Sequence, residues 1–184
     1  MHAKPKVLKL EKTARSRLFQ VEELELRFSN GELRTYERLA SRGNGAVMIV
    51  PVDSEGNLLL IREYAGGIDD YTLSLPKGAV DQGEDFLQAA DRELKEEVGF
   101  GARQLDFLKE MTTAPNYMGH KLQAIIARDL YPCSLPGDEP EPLEVVKWPL
   151  QDIDNLALHP EFTEGRAIAA LYMARHFISE NKEQ

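Results

Sequence analysis

The stretch "GAVDQGEDFLQAADRELKEEVGF", residues 78–100, crowds three glutamates, Glu93, Glu96 and Glu97, into one short segment. Its apolar residues recur at steps of three and four, which predicts a helix from about residue 84 to residue 98 with one face on a core: Leu87, Ala90, Leu94 and Val98. We expect Gly99 to end this helix. Glu93 and Glu97 then lie one turn apart on a shared face, with Glu96 in reach of the same point.

Three carboxylates on one helix need a physical reason. Like charges at this spacing destabilise an isolated helix by roughly 0.2–0.5 kcal/mol per pair, and partial burial adds to that cost. A divalent cation that takes oxygen ligands would reverse its sign. Taken alone, the segment "RELKEE" favours the alternative of a solvated acidic face on an amphipathic helix.

The wider spacing decides between these readings. Gly78 is followed after five residues by Glu84 and after seven more by "RELKEEVGF", residues 92–100. This pattern matches the Nudix box at every defined position, so the chain resembles the Nudix hydrolases, which cleave nucleoside diphosphates linked to another moiety. The resemblance implies an α/β (α+β) fold, a Nudix αβα sandwich with a mixed sheet, to which an N-terminal antiparallel β lobe is added.

The resemblance also implies roles for the residues of the box. Mg²⁺, with Mn²⁺ as a possible substitute, would be held by Glu93 and Glu97, by Glu96 directly or through water, and by the carbonyl of Lys77. Glu96 and Arg92 are the catalytic candidates within the box, and Arg92 would pair with Glu84 and orient the carboxylates. Gly78 is expected to permit a tight turn into the loop before the helix.

Features outside the box address the substrate. Pro115 lies sixteen residues beyond Gly99, where a proline marks the ADP-ribose pyrophosphatase group, and Tyr117 lies where hydrolases of diadenosine polyphosphates carry a tyrosine. With both marks the chain resembles Nudix hydrolases of broad ADP-compound specificity, and this resemblance implies an Mg²⁺-dependent hydrolase that releases AMP from ADP-ribose, diadenosine triphosphate and NADH. Two alternatives remain open: a hydrolase that prefers diadenosine polyphosphates, and a module that senses ADP-ribose without cutting it.

Further candidates come from the acidic segment "GDEPEPLEVVKWP" and from two strands. Glu141 is the predicted general base, with Glu139 second, because flanking prolines limit its backbone freedom. We expect Val145 to point inward on the following strand. Segments "YERLA" and "LIREYA" line the substrate cleft in the resembled group, which makes Arg38, Arg62 and Glu63 substrate-binding candidates along with Pro115 and Tyr117. For Arg62 a surface ion pair is the alternative.

The chain is predicted to have two parts. Residues 1–45 form the N-terminal β lobe, with strands on either side of "SNG" (29–31), and residues 46–184 form the hydrolase domain. "SRGNG" (41–45) is the expected boundary. "AVMIVPV" (46–52) and "LLLIREY" (58–64) are predicted to pair as a hairpin. Because the resembled enzymes pair through this lobe and share substrate contacts across the interface, we expect a homodimer.

Composition limits the remaining classes of function. The formal net charge of −9 argues against unassisted binding of nucleic acid. The apolar runs are too short to span a membrane, and "MHAKPK" (1–6) lacks the apolar core of a signal peptide. A lone cysteine, Cys133, excludes an intramolecular disulfide and fits a cytoplasmic protein.

Overall fold

The computed structural model describes residues 3–41 and 43–181. The expected boundary "SRGNG" and the segment "MHAKPK" therefore each include positions outside the described residues, namely Arg42, Met1 and His2. The elements run in the order β1 (Lys6–Arg15), β2 (Gln20–Arg27), β3 (Leu33–Leu39), β4 (Ala46–Pro51), β5 (Asn57–Ala65), β6 (Asp70–Ser74), β7 (Lys77–Ala79), α1 (Phe86–Glu97), β8 (Phe100–Thr112), β9 (Lys121–Pro132), β10 (Glu144–Pro149), a 3-10 turn (Leu150–Asp152), α2 (Ile153–Ala157) and α3 (Gly165–Asn181).

The chain divides into two compact units. The first comprises Met1–Arg42 and Thr112–Lys121, and the second comprises Gly43–Met111 and Leu122–Gln184. The first unit contains an antiparallel sheet in the order β1-β2-β3. Strand β1 was not predicted, because its residues alternate without a clear apolar face and all ten are exposed. The sequence also gave no signal that residues 112–121 join the first unit.

The second unit is built on two sheets. One has the antiparallel order β10-β5-β6, and the other has the order β7-β4-β9-β8, with β4 antiparallel to β7 and parallel to β9. The predicted β4–β5 hairpin is therefore wrong, because the two strands lie in different sheets. In the described part of the chain, an antiparallel bridge, Val52–Leu58, and a hydrogen bond from the Asp53 N–H to the Asn57 carbonyl at 2.9 Å join their adjoining ends. A strand buried on both faces reads as one apolar run, and such a run does not identify its partner.

The helices of the second unit lie on opposite faces of its strands. Met48 and Val50 of β4 pack in one core with Ala170 and Leu171 of α3. The alternate residues Val47 and Ile49 pack in another core, which includes Ala90, Leu94 and Val98 of the α1 segment. Alternation along the strand sends neighbouring side chains to opposite faces. This arrangement confirms the predicted αβα sandwich with a mixed sheet.

Helix α1 begins and ends close to the predicted positions. Its N-cap, Asp85, accepts hydrogen bonds from the backbone N–H groups of Leu87 at 2.9 Å and Gln88 at 2.8 Å, and the Gln88 side chain completes a capping box. Gly99 follows the helix with φ +79°, a conformation that favours glycine. Leu87 corrects the predicted stripe, because it is 41% exposed. Its angle around the helix is that of the stripe, so we attribute its exposure to its place in the first turn.

No helix among residues 3–41 and 43–181 is long and apolar enough to cross a membrane.

Candidate active site

Arg92 lies at the centre of the acidic face of α1. Its Nε and Nη2 atoms donate to the two carboxylate oxygens of Glu84 at 2.9 and 3.1 Å, which is the predicted pairing. Nη1 donates to Glu93 at 2.8 Å and to Glu96 at 2.9 Å, while Nη2 also reaches the carbonyl of Ala79 at 2.9 Å. One planar guanidinium thus fixes three carboxylates relative to strand β7.

Glu97 lies deeper, against strand β7. Its Oε2 atom accepts a hydrogen bond from the backbone N–H of Lys77 at 2.9 Å. The Lys77 ammonium pairs with the Glu63 carboxylate and donates to Ser74 Oγ at 3.1 Å. The structure therefore brings Glu63, Lys77 and Glu97 together in the second unit, although the sequence placed them on three separate elements.

Gly78 serves close approach rather than a turn. It lies within β7, opposite Val47 of β4, and it is not among the glycines with positive φ. A Cβ atom built at this position would overlap the Glu93 carboxylate. The turn expected from the sequence is thus wrong as a reason for this glycine, since the absence of a side chain is what admits Glu93 beside the strand.

Burial and charge set the pKa values of these groups. Burial raises the pKa of Glu97 to about 8, against a smaller opposing effect of the Lys77 N–H. Burial also raises the pKa of Glu93, although Arg92 opposes the shift. The hydrogen bond from Arg92 instead lowers the pKa of Glu84. Glu93 and Glu97 are therefore the carboxylates of the helix whose ionisation is disfavoured, as expected for partly buried acids without a full counter-charge.

A cavity of about 650 Å³ opens beside these carboxylates. One wall is β7 and the polar face of α1, including Glu93, Glu96 and Glu97. The other wall is the segment 137–143, which we call the acidic loop. The loop contributes both predicted candidates for the general base, Glu141 and Glu139. The structure thus places them across one cavity from the box glutamates.

The acidic loop leads into β10, where one prediction fails. Val145 is 40% exposed rather than inward, whereas Val146 and Trp148 pack on the core on the α3 side. Glu144 pairs with Arg62 across the β10–β5 register, so it shares a strand face with Val146. Val145 does lie on the opposite face, but the neighbouring layer does not cover it.

Arg62 is held by two carboxylates. Its Nε donates to Glu144 at 2.9 Å, and its Nη1 pairs with Glu161, just before α3. These two hydrogen bonds raise the pKa of Arg62. Arg62 is not among the residues that line the cavity, and its ion pairs match the alternative weighed for it from the sequence.

The other substrate-binding candidates belong to the first unit. Arg38 pairs with the buried Glu22 at 2.9 Å. The carbonyl of Tyr117 accepts a hydrogen bond from the N–H of Leu39 at 2.8 Å, so Tyr117 lies beside the end of β3. Leu39 is the residue that follows Arg38 in the sequence. The Tyr117 side chain is 58% exposed, and Pro115 lies in the loop before it. Within this unit the structure brings Arg38 and Tyr117 to the same strand end.

The carboxylates fit a divalent cation in one respect. Glu93 Oε2 and Glu97 Oε1 have no hydrogen-bond donor in the part of the chain that the structure describes, and both belong to partly buried acids whose pKa is raised. Hard cations such as Mg²⁺ take such oxygens as ligands. In residues 3–41 and 43–181, however, no three His, Cys, Asp or Glu side chains already converge as a ready-made set. Arg92 Nη1 engages one oxygen each of Glu93 and Glu96.

Comparison with known proteins agrees with this site. Residues 43–170 match the NUDIX domain family, and the chain therefore belongs to the Nudix hydrolases, enzymes that generally use a divalent metal. Residues 5–38 match the NudE-type Nudix hydrolase N-terminal domain. The chain is 51% identical to the ADP compounds hydrolase NudE of Escherichia coli (strain K12), over 95% of this chain and 94% of that protein.

A solved structure and a second relative are also similar to this chain. A crystal structure of an ADP compounds hydrolase superposes with a TM-score of 0.92 at 49% identity, covering 98% of this chain and 97% of that one. The ADP-ribose pyrophosphatase of Bacillus subtilis (strain 168) is 25% identical over 88% of this chain and 90% of its own. The predicted resemblance is confirmed.

Two residues near the site, Asp138 and Tyr71, were not among the candidates predicted from the sequence. Asp138 lines the cavity, and its charge contributes to the raised pKa of Glu93. Tyr71 donates its hydroxyl to Glu141. Asp138 could have been found as a further acid of the same loop. Nothing in the sequence pointed to Tyr71, because it lies on a different element from Glu141 and seventy residues before it.

Proposed function

We propose that this chain is an Mg²⁺-dependent pyrophosphohydrolase that cleaves ADP-linked compounds and releases AMP. The observation that carries the proposal is the cavity in which Glu93, Glu96 and Glu97 face the acidic loop. The relatives named for ADP compounds and ADP-ribose support the substrate class. ADP-ribose, diadenosine triphosphate and NADH are the proposed substrates.

The box residues would hold the metal ion and fix its surroundings. Glu93 and Glu97 are the principal proposed ligands of Mg²⁺, or of Mn²⁺ in its place, with Glu96 and the Lys77 carbonyl as further ligands. When bound, the ion neutralises pyrophosphate oxygens and acts as a Lewis acid at the reacting phosphate. Arg92 keeps the carboxylates oriented through its contacts with Glu84, Glu93 and Glu96.

Glu141 is the proposed general base, accepting a proton from the attacking water. Its place on the opposite cavity wall supports this role, because the box glutamates are occupied by Arg92, by Lys77 and by the proposed metal. Glu139 lies on the same wall, two residues earlier.

A matched pair of variants separates these two acids. Glu141→Gln is expected to lower kcat by at least about a hundredfold, the scale on which general catalysis acts, with little change in Mg²⁺ affinity. Glu139→Gln should keep kcat within about threefold, because the nearby Glu141 remains. The opposite pattern would move the base to Glu139, and two active variants would remove the base from this loop.

The substrate contacts proposed outside the box are Arg38, Arg62, Glu63, Pro115 and Tyr117. The proposed role of Glu63 is supported by its ion pair with Lys77, because Lys77 lines the cavity. Arg62 would need to exchange at least one of its two carboxylate partners for a phosphate. Arg38 and Tyr117 are proposed to act together, because they share a strand end.

A substrate panel tests the proposal directly. AMP release would be measured from ADP-ribose, diadenosine triphosphate and NADH, with deoxynucleoside triphosphates as the comparison. We expect the ADP-linked compounds to be favoured in kcat/KM by at least about tenfold, equal to about 1.4 kcal/mol of transition-state binding. A panel in which triphosphates react faster would overturn the substrate class.

We also propose a homodimer that pairs through the first unit. Exposed apolar side chains are concentrated in β1, in the turn between β1 and β2, and in β3. They are Val7, Leu8, Leu10, Leu18, Phe19, Leu33 and Tyr36. Exposed apolar area of this kind marks interaction surfaces. Sedimentation equilibrium at micromolar concentration should give twice the chain mass. A monomer with full activity would contradict the proposal, as would full activity of a chain that begins near Gly45.

A further inference from the structure

Tyr71 connects the β5–β6 hairpin to the acidic loop. Its hydroxyl donates to Glu141 Oε1 at 2.5 Å, which places the Tyr71 side chain beside the proposed base. Its ring packs edge-on against Tyr64, with centroids 5.6 Å apart and planes at 69°. The Tyr64 hydroxyl is in turn bonded to Asp69 in the turn of the same hairpin. Tyr71 is thereby braced on its own hairpin while its polar end points to the loop.

Both ends of the acidic loop pack against the rest of the second unit, whereas its middle does not. Gly137 lies against the end of α1, where an added Cβ would be 3.6 Å from the Glu96 carbonyl oxygen. Leu143 packs on the core on the α1 side. Between them, residues 138–142 are all exposed. Among the described residues, the Tyr71–Glu141 bond is the side-chain hydrogen bond that holds this exposed stretch.

Chain stiffness alone does not fix the carboxylate of Glu141. Pro140 and Pro142 limit the backbone on either side, but neither offers an N–H donor, and the glutamate side chain keeps its own rotamers. The Tyr71 hydroxyl engages one carboxylate oxygen. In the part of the chain that the structure describes, the other oxygen, Oε2, has no donor and stays available to accept a proton.

We propose that Tyr71 is a positioning residue, whose hydroxyl holds the Glu141 carboxylate at its place on the cavity wall. The proposal rests on the proposed role of Glu141 as general base. Tyr71 itself transfers no proton and contacts no reacting atom. It reduces the number of positions that the carboxylate samples before each turnover, which affects kcat rather than substrate binding.

Kinetics of four variants test this role. Tyr71→Phe keeps the ring and removes the hydroxyl, so kcat for ADP-ribose should fall about tenfold, the worth of one charge-assisted hydrogen bond, with KM within about twofold. Tyr64→Phe is the matched control, since its hydroxyl contacts Asp69 and not Glu141, and kcat should stay within about twofold. In the double variant Tyr71→Phe/Glu141→Gln, kcat should equal that of Glu141→Gln alone.

Losses that multiply in the double variant would overturn the proposal, because Tyr71 would then act independently of Glu141. An unchanged kcat in Tyr71→Phe would overturn it too. Neither result bears on the proposed base, because the role of Glu141 is tested by the kcat of Glu141→Gln alone.

Hydrogen exchange gives a readout that does not depend on activity. The backbone amides of Gly137, Asp138, Glu139, Glu141 and Leu143, followed by mass spectrometry in the full chain without substrate, should exchange faster in Tyr71→Phe and at the normal rate in Tyr64→Phe. Exchange that is unchanged in Tyr71→Phe overturns the anchoring role whatever the kinetics show. If exchange rises while Glu141→Gln stays fully active, the anchor stands and the assignment of the base fails.

Discussion

Replacing Gly78 by alanine should disable the site while leaving the fold intact. The new Cβ would overlap the Glu93 carboxylate, which is the movable end of a side chain, so the carboxylate rather than the backbone must shift. Ordinary contact starts near 3.4 Å, and restoring it moves the carboxylate by at least about 1 Å. A misplacement of that size can cost about a hundredfold in rate, or about 2.7 kcal/mol of activation free energy.

Stability should respond much less. The φ angle of Gly78 is not in the left-handed region, so alanine meets no backbone strain, and the unfolded chain loses some entropy. We expect the Tm to stay within about 4 °C of wild type, the shift that about 1 kcal/mol produces in a chain of this size.

The assay is AMP release from ADP-ribose with Mg²⁺, alongside thermal unfolding. Gly165→Ala is the matched control, because nothing lies within 4 Å of a Cβ at that position and its φ is not positive. Normal turnover in a folded Gly78→Ala protein would show that catalysis does not require Glu93 to lie against β7.

Three further changes probe the same helix. Lysine cannot reproduce the bidentate contact of Arg92 with Glu84. Arg92→Lys should therefore lower kcat at least about tenfold, and it should lower the free energy of unfolding, measured in urea, by about 1–3 kcal/mol. Asp85→Ala removes the N-cap and should cost about 1 kcal/mol in the same measurement with kcat almost unchanged. In chelator, the free energy of unfolding of the wild type should fall as pH rises from about 4.5 to about 8, because folded Glu97 keeps a proton that the unfolded chain releases. Glu97→Gln should flatten that dependence, and an equally steep profile in this variant would show that Glu97 is not its cause.

The helix and its acidic face could be predicted because their signals are local. The capping residue Asp85, the apolar stripe ending at Val98 and Gly99 with φ +79° all lie within one segment, and each has a physical preference for its position. Pairing between Glu84 and Arg92 followed from the resemblance, and the structure shows that pairing.

Non-local contacts account for what the sequence could not show. The apolar runs of β4 and β5 are alike, so nothing in them indicated that β4 pairs with β9 and β7 instead of with its neighbour along the chain. The reason for Gly78 depends on the approach of Glu93 from another element. Likewise, the contact of Tyr71 with Glu141 joins two elements seventy residues apart.

An Mg²⁺ titration of AMP release from ADP-ribose, run in parallel on the wild type and on Glu97→Gln, tests whether the glutamates of α1 hold a catalytic metal ion. Wild-type turnover should rise with Mg²⁺ and stop on chelation, while Glu97→Gln should be at least about a hundredfold slower at every concentration that leaves both proteins folded. Turnover that survives chelation, or a Glu97→Gln variant that matches the wild type, would contradict that role of the glutamates.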